Sequence, residues 1–314
     1  MAVPLSVATP AAAQANTFAY VVNKDSGSVW VIDTATNART AIIGVGSMPD
    51  SVAITPNGAR AYVTNTGSGT VSVINTATNT TIGQPISVGR APRGVAVTPD
   101  GSQVYVANSG SGTVSVIDTA TNTTIGPPIS VGLAPRGVAV GDNAYVANSG
   151  SGTVSVIDTA THTTIGDAIS VGNLPQGVAV SPDAVYVTNT TNPGTVRVID
   201  PATNTVAATI DVADSPLGVA AALVGGANVY VTHATTPGSV SVINSATNSV
   251  TATIGVGSLP FAVAVTPDAS HIYVANAGSN NVSVIDAATN SVTATIGVGS
   301  FPSGVAIATI PLTS

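Results

Sequence analysis

The amino-acid sequence repeats one unit seven times along its 314 residues. Every tyrosine begins a YVxN-like tetrapeptide, and successive tyrosines are 40 to 44 positions apart, at Tyr20, Tyr62, Tyr105, Tyr145, Tyr186, Tyr230 and Tyr273. Seven prolines keep the same spacing, each just before a GVAV-like segment, at Pro49, Pro92, Pro135, Pro175, Pro216, Pro260 and Pro302. An IDTATN-like marker recurs at Asp33, Asn75, Asp118, Asp158, Asp200, Asn244 and Asp286. Three markers in seven copies each define a structural repeat.

Each unit predicts four short β-strands. In the third unit the segments 94–98, 103–108, 113–118 and 123–131 alternate Val or Ile with small residues, which is the two-residue period of a strand. Gly, Asn and Pro-Asp pairs between the segments predict turns. The chain has no Glu and one Lys, a composition that disfavours helices. A repeat of this length with four strands is typical of a propeller blade, so the sequence predicts an all-β fold, a single seven-bladed β-propeller.

The two ends of the repeat array predict how the ring closes. The chain enters the repeats on a second strand at residues 18–21 and leaves them on a first strand at residues 304–307. We therefore expect a C-terminal strand at about 303–308 to join the N-terminal blade, because closure removes an exposed sheet edge. This places the propeller at residues 18–310 and a C-terminal tail at residues 311–314.

Residues 1–17 precede the first repeat and have two interpretations. They are rich in Ala and contain Ala13-Gln14-Ala15, the small-x-small pattern of a signal-peptide cleavage site. They are either the remnant of a leader or an N-terminal arm that packs on the domain. A leader predicts an extracytoplasmic location, which means secreted, periplasmic or at the cell surface. The sequence has no run of 18 apolar residues, so we predict no transmembrane segment.

Charge and composition narrow the chemistry that the chain can perform. Charged residues make up 7% of the chain and the net charge is −7, which disfavours binding to nucleic acid. The absence of Cys excludes disulfides and thiol catalysis. Three scattered His without Cys or Glu do not form a metal-ligand set, and no phosphate-binding, dinucleotide-binding or serine-hydrolase motif is present. We therefore predict no metal and no cofactor, and we expect a monomer.

The tetrapeptides carry a resemblance to a known family. They are YVVN, YVTN, YVAN, YVAN, YVTN, YVTH and YVAN, each followed by a Gly-rich turn and a V-x-V-I-D/N segment. Over residues 18–308 the chain resembles the YVTN-repeat propeller family. The resemblance implies a surface-layer-like, extracytoplasmic protein that binds a ligand or a partner. More distantly related propellers include lactonases and a streptogramin-cleaving lyase, so the resemblance is specific for the fold and leaves the function open.

Side chains that differ between the repeats are the best candidates for function, and they divide into two arcs. Repeat alignment places the residues around the seven prolines at one mouth of the central channel. A cationic arc there consists of Arg90, Arg93 and Arg136. An apolar arc lies across from it, with two aspartates between the arcs; these residues are Leu217, Leu259, Phe261 and Phe301, then Asp50 and Asp214.

This division predicts a ligand with an anionic group and an apolar body. Arginine binds carboxylate or phosphate through two parallel hydrogen bonds, and Phe and Leu side chains bury apolar surface. The alternative is that the arginines form salt bridges at the rim and the phenylalanines fill gaps between blades. The predicted ligand-binding residues are Arg90, Arg93, Arg136, Gln176, Leu217, Phe261 and Phe301.

His233 replaces the Asn of the YVxN motif in the sixth unit. It either acts as an acid or base or repeats the hydrogen bond of the Asn to its turn. Because no catalytic arrangement is evident, we expect a propeller that binds a small anionic or amphipathic ligand, or another surface protein, without catalysis. The alternative is an enzyme of the lyase, lactonase or cyclase type at the channel mouth. Arg93 and Arg136 would then hold the substrate anion, and His233 or Asp50 would transfer protons.

Overall fold

A computed structural model describes residues 15–222 and 228–311 of the chain. These residues form 31 β-strands and no helix, and therefore no helix long and apolar enough to cross a membrane. The strands assemble into seven separate sheets, which we number as blades 1 to 7 in chain order. The predicted all-β, seven-bladed propeller is confirmed.

Each blade is an antiparallel meander that begins at the central channel and runs outward. Blade 1 contains β1 (Ala15–Asn23), β2 (Ser28–Asp33) and β3 (Ala38–Gly44), and its innermost strand is the last strand of the chain, β31 (Pro302–Pro311). Blade 2 contains β4 (Pro49–Ile54), β5 (Arg60–Asn65), β6 (Thr70–Asn75), β7 (Thr80–Thr81) and β8 (Ile86–Ser87). Blade 3 contains β9 (Pro92–Val97), β10 (Gln103–Asn108), β11 (Thr113–Asp118), β12 (Thr123–Thr124) and β13 (Ile129–Ser130).

The remaining four blades continue this order around the ring. Blade 4 contains β14 (Pro135–Val140), β15 (Asn143–Asn148), β16 (Thr153–Asp158), β17 (Thr163–Thr164) and β18 (Ile169–Ser170). Blade 5 contains β19 (Pro175–Val180), β20 (Val185–Asn189), β21 (Gly194–Asp200) and β22 (Thr205–Val212). Blade 6 contains β23 (Pro216–Ala221), β24 (Asn228–His233), β25 (Gly238–Asn244) and β26 (Ser249–Val256). Blade 7 contains β27 (Pro260–Val265), β28 (His271–Asn276), β29 (Asn281–Asp286) and β30 (Ser291–Gly297). The innermost strands touch one another in sequence and surround the channel in the order β31, β4, β9, β14, β19, β23 and β27.

The outermost strand is split in blades 2, 3 and 4. The predicted single strand at 123–131 is two short strands, β12 and β13, which both pair with β11. In these three units the proline follows the last residue of the TATN-like marker by 13 positions, against 12 in the other four. The extra residue interrupts the hydrogen-bonded pairing of the outermost strand, as a bulge does. A glycine with a positive φ lies at each interruption: Gly83 (62°), Gly126 (59°) and Gly166 (59°).

The last strand closes the ring onto the first. Strand β31 pairs antiparallel with β1 from Ala15 opposite Pro311 to Asn23 opposite Pro302. This confirms that the C-terminal strand joins the N-terminal blade. Because β1 begins at Ala15, the residues up to position 17 pair with β31 as well. The predicted leader or arm at residues 1–17 and the predicted tail at residues 311–314 overlap this strand pair at residues 15–17 and at Pro311, and the rest of both segments lies outside the described residues.

The hydrophobic core lies between the blades. Seven clusters of buried side chains occupy the seven interfaces between neighbouring blades. The tyrosine of each YVxN motif belongs to one of these clusters, and each ring is at most 2% exposed. A tyrosine buried this deeply needs a hydrogen-bond partner for its hydroxyl. At four of the seven interfaces an asparagine of the next blade supplies that partner.

A tyrosine–asparagine hydrogen bond links neighbouring blades. The tyrosine hydroxyl donates to the Oδ1 of the TATN-type asparagine on the next blade, in the pairs Tyr20 to Asn79 (3.0 Å), Tyr62 to Asn122 (2.8 Å), Tyr145 to Asn204 (3.1 Å) and Tyr273 to Asn37 (3.0 Å). At the interface of blades 3 and 4, His162 takes the place of the asparagine. There the Tyr105 hydroxyl donates to the Gln103 Oε1 at 3.2 Å, and that oxygen is 3.1 Å from His162 Nε2. The Oδ1 atoms of Asn248 and Asn290 have no partner within the described residues.

Deleting residues 303–314 should abolish cooperative folding. The deletion leaves β1 without its inner neighbour and removes the buried Val305 and Ile310. Cutting one buried Ile back to Ala already costs about 2 to 5 kcal/mol, and a typical domain is stable by only about 5 to 15 kcal/mol. We expect circular dichroism to show no cooperative melting transition, and a synthetic peptide of residues 303–314 to restore it. A truncated chain that melts at the temperature of the parent would contradict closure by this strand.

Tyr273→Phe should destabilise the protein by about 1 kcal/mol, because it leaves the Oδ1 of Asn37 without a donor. Tyr230→Phe is the matched control. Its ring is equally buried, but the Oδ1 of Asn290 on the next blade already has no partner. We expect the control to lose clearly less free energy of unfolding in urea titrations. Equal losses for both variants would show that the hydrogen bond between blades does not stabilise the ring.

Candidate ligand-binding site at the channel mouth

A sharp backbone turn precedes the innermost strand of every blade. The residue before each proline has a φ of +48° to +56°, at Met48, Ala91, Ala134, Leu174, Ser215, Leu259 and Phe301. Residues other than Gly rarely adopt this conformation, and all seven repeats share it. The turn belongs to the blade template, and it brings the residue after each proline to the channel. A cavity of about 260 Å³ opens there, and its rim residues are Asp50, Arg93, Arg136, Gln176, Leu217, Phe261 and Ser303.

Glycines below the mouth allow the innermost strands to pack closely. A Cβ atom on Gly94 would lie 2.2 Å from the carbonyl oxygen of Arg136, and one on Gly177 would lie 2.4 Å from that of Leu217. A side chain at these positions would therefore push neighbouring blades apart. The position is glycine in five blades, at Gly94, Gly137, Gly177, Gly218 and Gly304. The mouth residues are thus held by a tight ring of backbone.

The Asp50 carboxylate is bound by cations on both sides. Lys24 Nζ lies 2.6 Å from Asp50 Oδ1, and Arg93 Nη1 lies 3.8 Å from the same oxygen. Sequence reasoning missed Lys24. The signal was available, because Lys24 is the only lysine of the chain and directly follows the YVVN tetrapeptide, where the other units carry Thr, Ser or Ala.

Arg136 is the cation of the mouth without an acidic partner. Among residues 15–222 and 228–311, no carboxylate lies within 4 Å of its guanidinium, and the side chain donates no hydrogen bond. Burial and the neighbouring charge of Arg93 lower the pKa of Arg136. Lys24, Arg93 and Arg136 together with the Asp50 carboxylate carry a formal charge of +2 (three cations and one anion) in a chain of net charge −7.

The opposite side of the mouth is apolar. Leu217 and Phe261 line the cavity, and the ring of Phe261 packs edge-to-face against Phe301 with 5.3 Å between ring centroids. Gln176 lies between the two sides, and its Nε2 donates to Ser149 Oγ at 2.9 Å. The cavity therefore offers guanidinium groups on one wall, apolar side chains on the other and an amide between them.

The structure brings five of the seven predicted ligand-binding residues together. Arg93, Arg136, Gln176, Leu217 and Phe261 all line the cavity. The other two lie outside it. Arg90 is exposed to solvent and does not line the cavity, and Phe301 packs against the ring of Phe261.

His233 lies outside the cavity and is completely buried. Its Nε2 is 2.8 Å from Ser241 Oγ and its Nδ1 is 3.3 Å from the carbonyl oxygen of Asp214. In blade 4 the equivalent Asn148 donates to Ser155 Oγ at 2.9 Å. His233 thus pairs with the serine that the asparagine binds in blades 2, 3, 4 and 7. Neither ring nitrogen has a hydrogen-bond partner among the residues that line the cavity.

Comparison with known proteins supports the fold. Residues 11–125, a little over a third of the chain, match the sequence model of the family described as lactonase, 7-bladed beta-propeller. This region contributes Asp50 and Arg93 to the mouth. A comparison with the curated proteins finds no match.

Several solved structures share the architecture at low sequence identity. Hydrazine synthase from Kuenenia stuttgartiensis is 22% identical with a TM-score of 0.75, covering 84% of this chain and 95% of that one. A functionally unknown protein from Desulfotomaculum acetoxidans is 17% identical with a TM-score of 0.80, covering 92% and 98%. AztD from Citrobacter koseri is 14% identical with a TM-score of 0.67, covering 94% and 98%. At such identities the likeness concerns the fold alone.

His233→Asn should reduce the pH dependence of stability. Burial lowers the pKa of His233 in the folded protein, so the folded state binds this proton less tightly than the unfolded chain. The free energy of unfolding that neutral His233 contributes is fully present above the pKa of the unfolded chain, about 6.5. This contribution is lost as the pH falls through the lower pKa of the folded protein. We expect the parent to lose more free energy of unfolding between pH 7 and pH 5 than His233→Asn does. Identical losses would contradict a histidine that is buried in its neutral form.

Proposed function

We propose that this propeller binds a small organic anion at the channel mouth. The observation that carries the proposal is Arg136, a half-buried guanidinium next to Arg93 with no carboxylate within salt-bridge distance in the described residues. A cation withdrawn from water without a counter-ion is costly. A carboxylate or phosphate on the ligand would supply the missing acceptor, with two oxygens matched to the guanidinium.

The same cavity indicates the rest of the ligand. Leu217 and Phe261 form its apolar wall, while Gln176 provides an amide beside the arginines. Its volume of about 260 Å³ is slightly below the usual range for drug-sized ligands. A short acid with an apolar body fits this combination of size and chemistry.

Binding without catalysis is favoured by the titratable groups at the mouth. The residues that line the cavity include one carboxylate, Asp50, and two guanidinium groups. Asp50 is in contact with Lys24 and Arg93 and has no second carboxylate or histidine beside it on the cavity wall. General acid–base catalysis needs a group that is free to exchange a proton with the substrate.

Lactone hydrolysis is the second candidate, favoured by the match of residues 11–125 to a lactonase family. In that case Arg93 and Arg136 would bind the carbonyl oxygen or the acid product, and Asp50 would activate water as a general base. The mouth residues Arg136, Gln176, Leu217 and Phe261 lie outside the matched region.

An extracytoplasmic location and a relationship to YVTN-repeat, surface-layer-like proteins also remain proposals. The leader-like pattern at Ala13-Gln14-Ala15 and the seven YVxN-like tetrapeptides support them. In such a setting the ligand could equally be presented by another surface protein, with the same anionic group entering the mouth.

Isothermal titration with hexanoate tests the proposal, with hexanol as the uncharged control ligand. We expect saturable binding of hexanoate only. Arg136→Gln should weaken it roughly 10- to 100-fold, because a hydrogen bond to a charged group contributes about 1.5 to 3 kcal/mol. Arg39→Gln is the matched control, since it removes one charge from an exposed arginine that stacks on Trp30 instead.

Two results would decide against anion binding at the mouth. One is equal affinity of the parent and Arg136→Gln for hexanoate. The other is the absence of binding for hexanoate, phenylacetate and hexyl phosphate alike. Incubation with ε-caprolactone, followed by NMR, addresses the second candidate. Ring opening that is lost in Asp50→Asn would favour hydrolysis over simple binding.

A further inference from the structure

A second group of deviations from the repeat lies at the opposite end of the channel. The loop between the first and second strands has five residues in blades 2, 3 and 7, such as residues 98–102. In blade 4 this loop has two residues, 141–142, and in blade 5 it has four, 181–184. Two adjacent blades have therefore lost part of the same loop.

The shortened loop removes a neighbour that a proline ring has elsewhere in the propeller. Between blades 2 and 3, Gly101 in the full-length loop lies so close to Pro56 that a Cβ atom would be 3.2 Å from its Cδ. Pro99 is the equivalent proline one blade further on, and the part of the blade 4 loop that would contact it is missing. Both prolines are exposed, but only Pro99 has open space on the side of the following blade, where it lines a cavity.

A third difference between the repeats lies beside the shortened loops, at the first residue of the TATN marker. In blades 3 and 4 the first Thr of the TATN marker holds the loop, because Thr119 Oγ1 donates to the Gly101 carbonyl at 2.7 Å and Thr159 Oγ1 to the Asp142 carbonyl at 2.8 Å. Blade 5 has Pro201 at this position, which has no hydroxyl to donate.

Together the three deviations leave a cavity of about 300 Å³ between blades 3, 4 and 5. Its walls are largely apolar, with the ring of Tyr145 at the base and three proline rings at the sides. The residues that give it this character are Pro99, Pro182, Pro201, Tyr145, Val140 and Val180. Flat apolar walls around a space of this size suit a single aromatic or alicyclic ring.

The charge around this cavity is negative. Asp142 lies on its wall, exposed and without a side-chain hydrogen bond within the described residues, and no Lys or Arg lines the cavity. Burial raises the pKa of Tyr145, and the nearby carboxylates of Asp142 and Asp200 raise it further. Nine of the fourteen aspartates lie in the turns at this end: Asp33, Asp100, Asp118, Asp142, Asp158, Asp183, Asp200, Asp268 and Asp286.

We propose that the cavity between blades 3, 4 and 5 binds a small organic cation, a primary ammonium group joined to an aromatic ring through a short alkyl linker. The ring lies between the prolines and over Tyr145, and the ammonium group points to the Asp142 carboxylate. This site is separate from the channel mouth, because the two cavities share no residue. The inference does not depend on the function proposed for the mouth.

Benzylammonium is the probe that tests this site, with benzyl alcohol and benzoate as neutral and anionic controls of the same shape. Methyl NMR spectra of the valines report the location of binding, through Val140 and Val180. We expect benzylammonium alone to shift these signals saturably. Asp142→Asn should weaken binding roughly two- to fivefold at low salt, as an exposed ion pair contributes about 0.2 to 1 kcal/mol, and added salt should weaken the parent similarly.

Two further variants test whether the shortened loop creates the site. Replacing Gly141-Asp142 by the Thr-Pro-Asp-Gly-Ser of residues 98–102 should fill the cavity and abolish binding, with the melting temperature as a check on folding. Asp268→Asn is the matched control, an aspartate in the equivalent loop of blade 7, and should bind as the parent does. The proposal is wrong if benzylammonium leaves Val140 and Val180 unshifted, if benzyl alcohol binds equally well, or if the folded loop variant keeps its affinity.

Discussion

The pairing of the first strand with the last is the constraint on which the rest of the structure depends. The core of this protein lies between blades and not within them, so each blade is stabilised only when it has a neighbour on both sides. Strand β31 serves two interfaces at once: Val305 packs in the cluster between blades 7 and 1, and Ile310 in the cluster between blades 1 and 2. The same strand places Ser303 at the mouth, which completes the ring of seven rim residues. Closure, core and candidate site therefore rest on one set of backbone hydrogen bonds.

Below the mouth the backbone is nearly the same in every blade, while the side chains at the rim differ. The positive φ before each proline occurs in all seven blades and the glycine after the rim residue in five, whichever side chain stands between them. Arg136 and Phe261 occupy equivalent positions and face the same cavity from different directions. A substitution at the rim changes the chemistry of the cavity without altering the packing between blades. This separation explains how a regular ring can carry an uneven mouth.

Much of the fold follows from the sequence because the markers are tied to fixed places in the blade. The YVxN tyrosine must reach the turn of the next blade, so its period reports the blade count directly. The same register placed Arg93 and Arg136 at the mouth. It could not place Lys24, whose long side chain reaches Asp50 from a neighbouring loop. It also could not show that the Arg90 side chain is exposed outside the cavity. Nor could it show the cavity beside Tyr145, since that space is made by residues that are missing from a loop. Register fixes backbone positions, whereas side-chain reach and empty space depend on three-dimensional neighbours.

The distribution of charge follows from the chemistry of the two kinds of turn. At the end away from the mouth, aspartates accept backbone N–H bonds in tight turns, as Asp118 does from Thr121, and these bonds lower the pKa of the carboxyl group. At the mouth end, the equivalent turn residue is the asparagine of the YVxN motif. It is buried and donates a hydrogen bond, either to a serine, as Asn148 does to Ser155, or to a backbone carbonyl, as Asn189 does to that of Asn173, so a carboxylate cannot replace it. The fold therefore places most of its negative charge at one end for structural reasons alone. A net charge of −7 says little about the mouth, where the local balance of cations and carboxylates favours an anion.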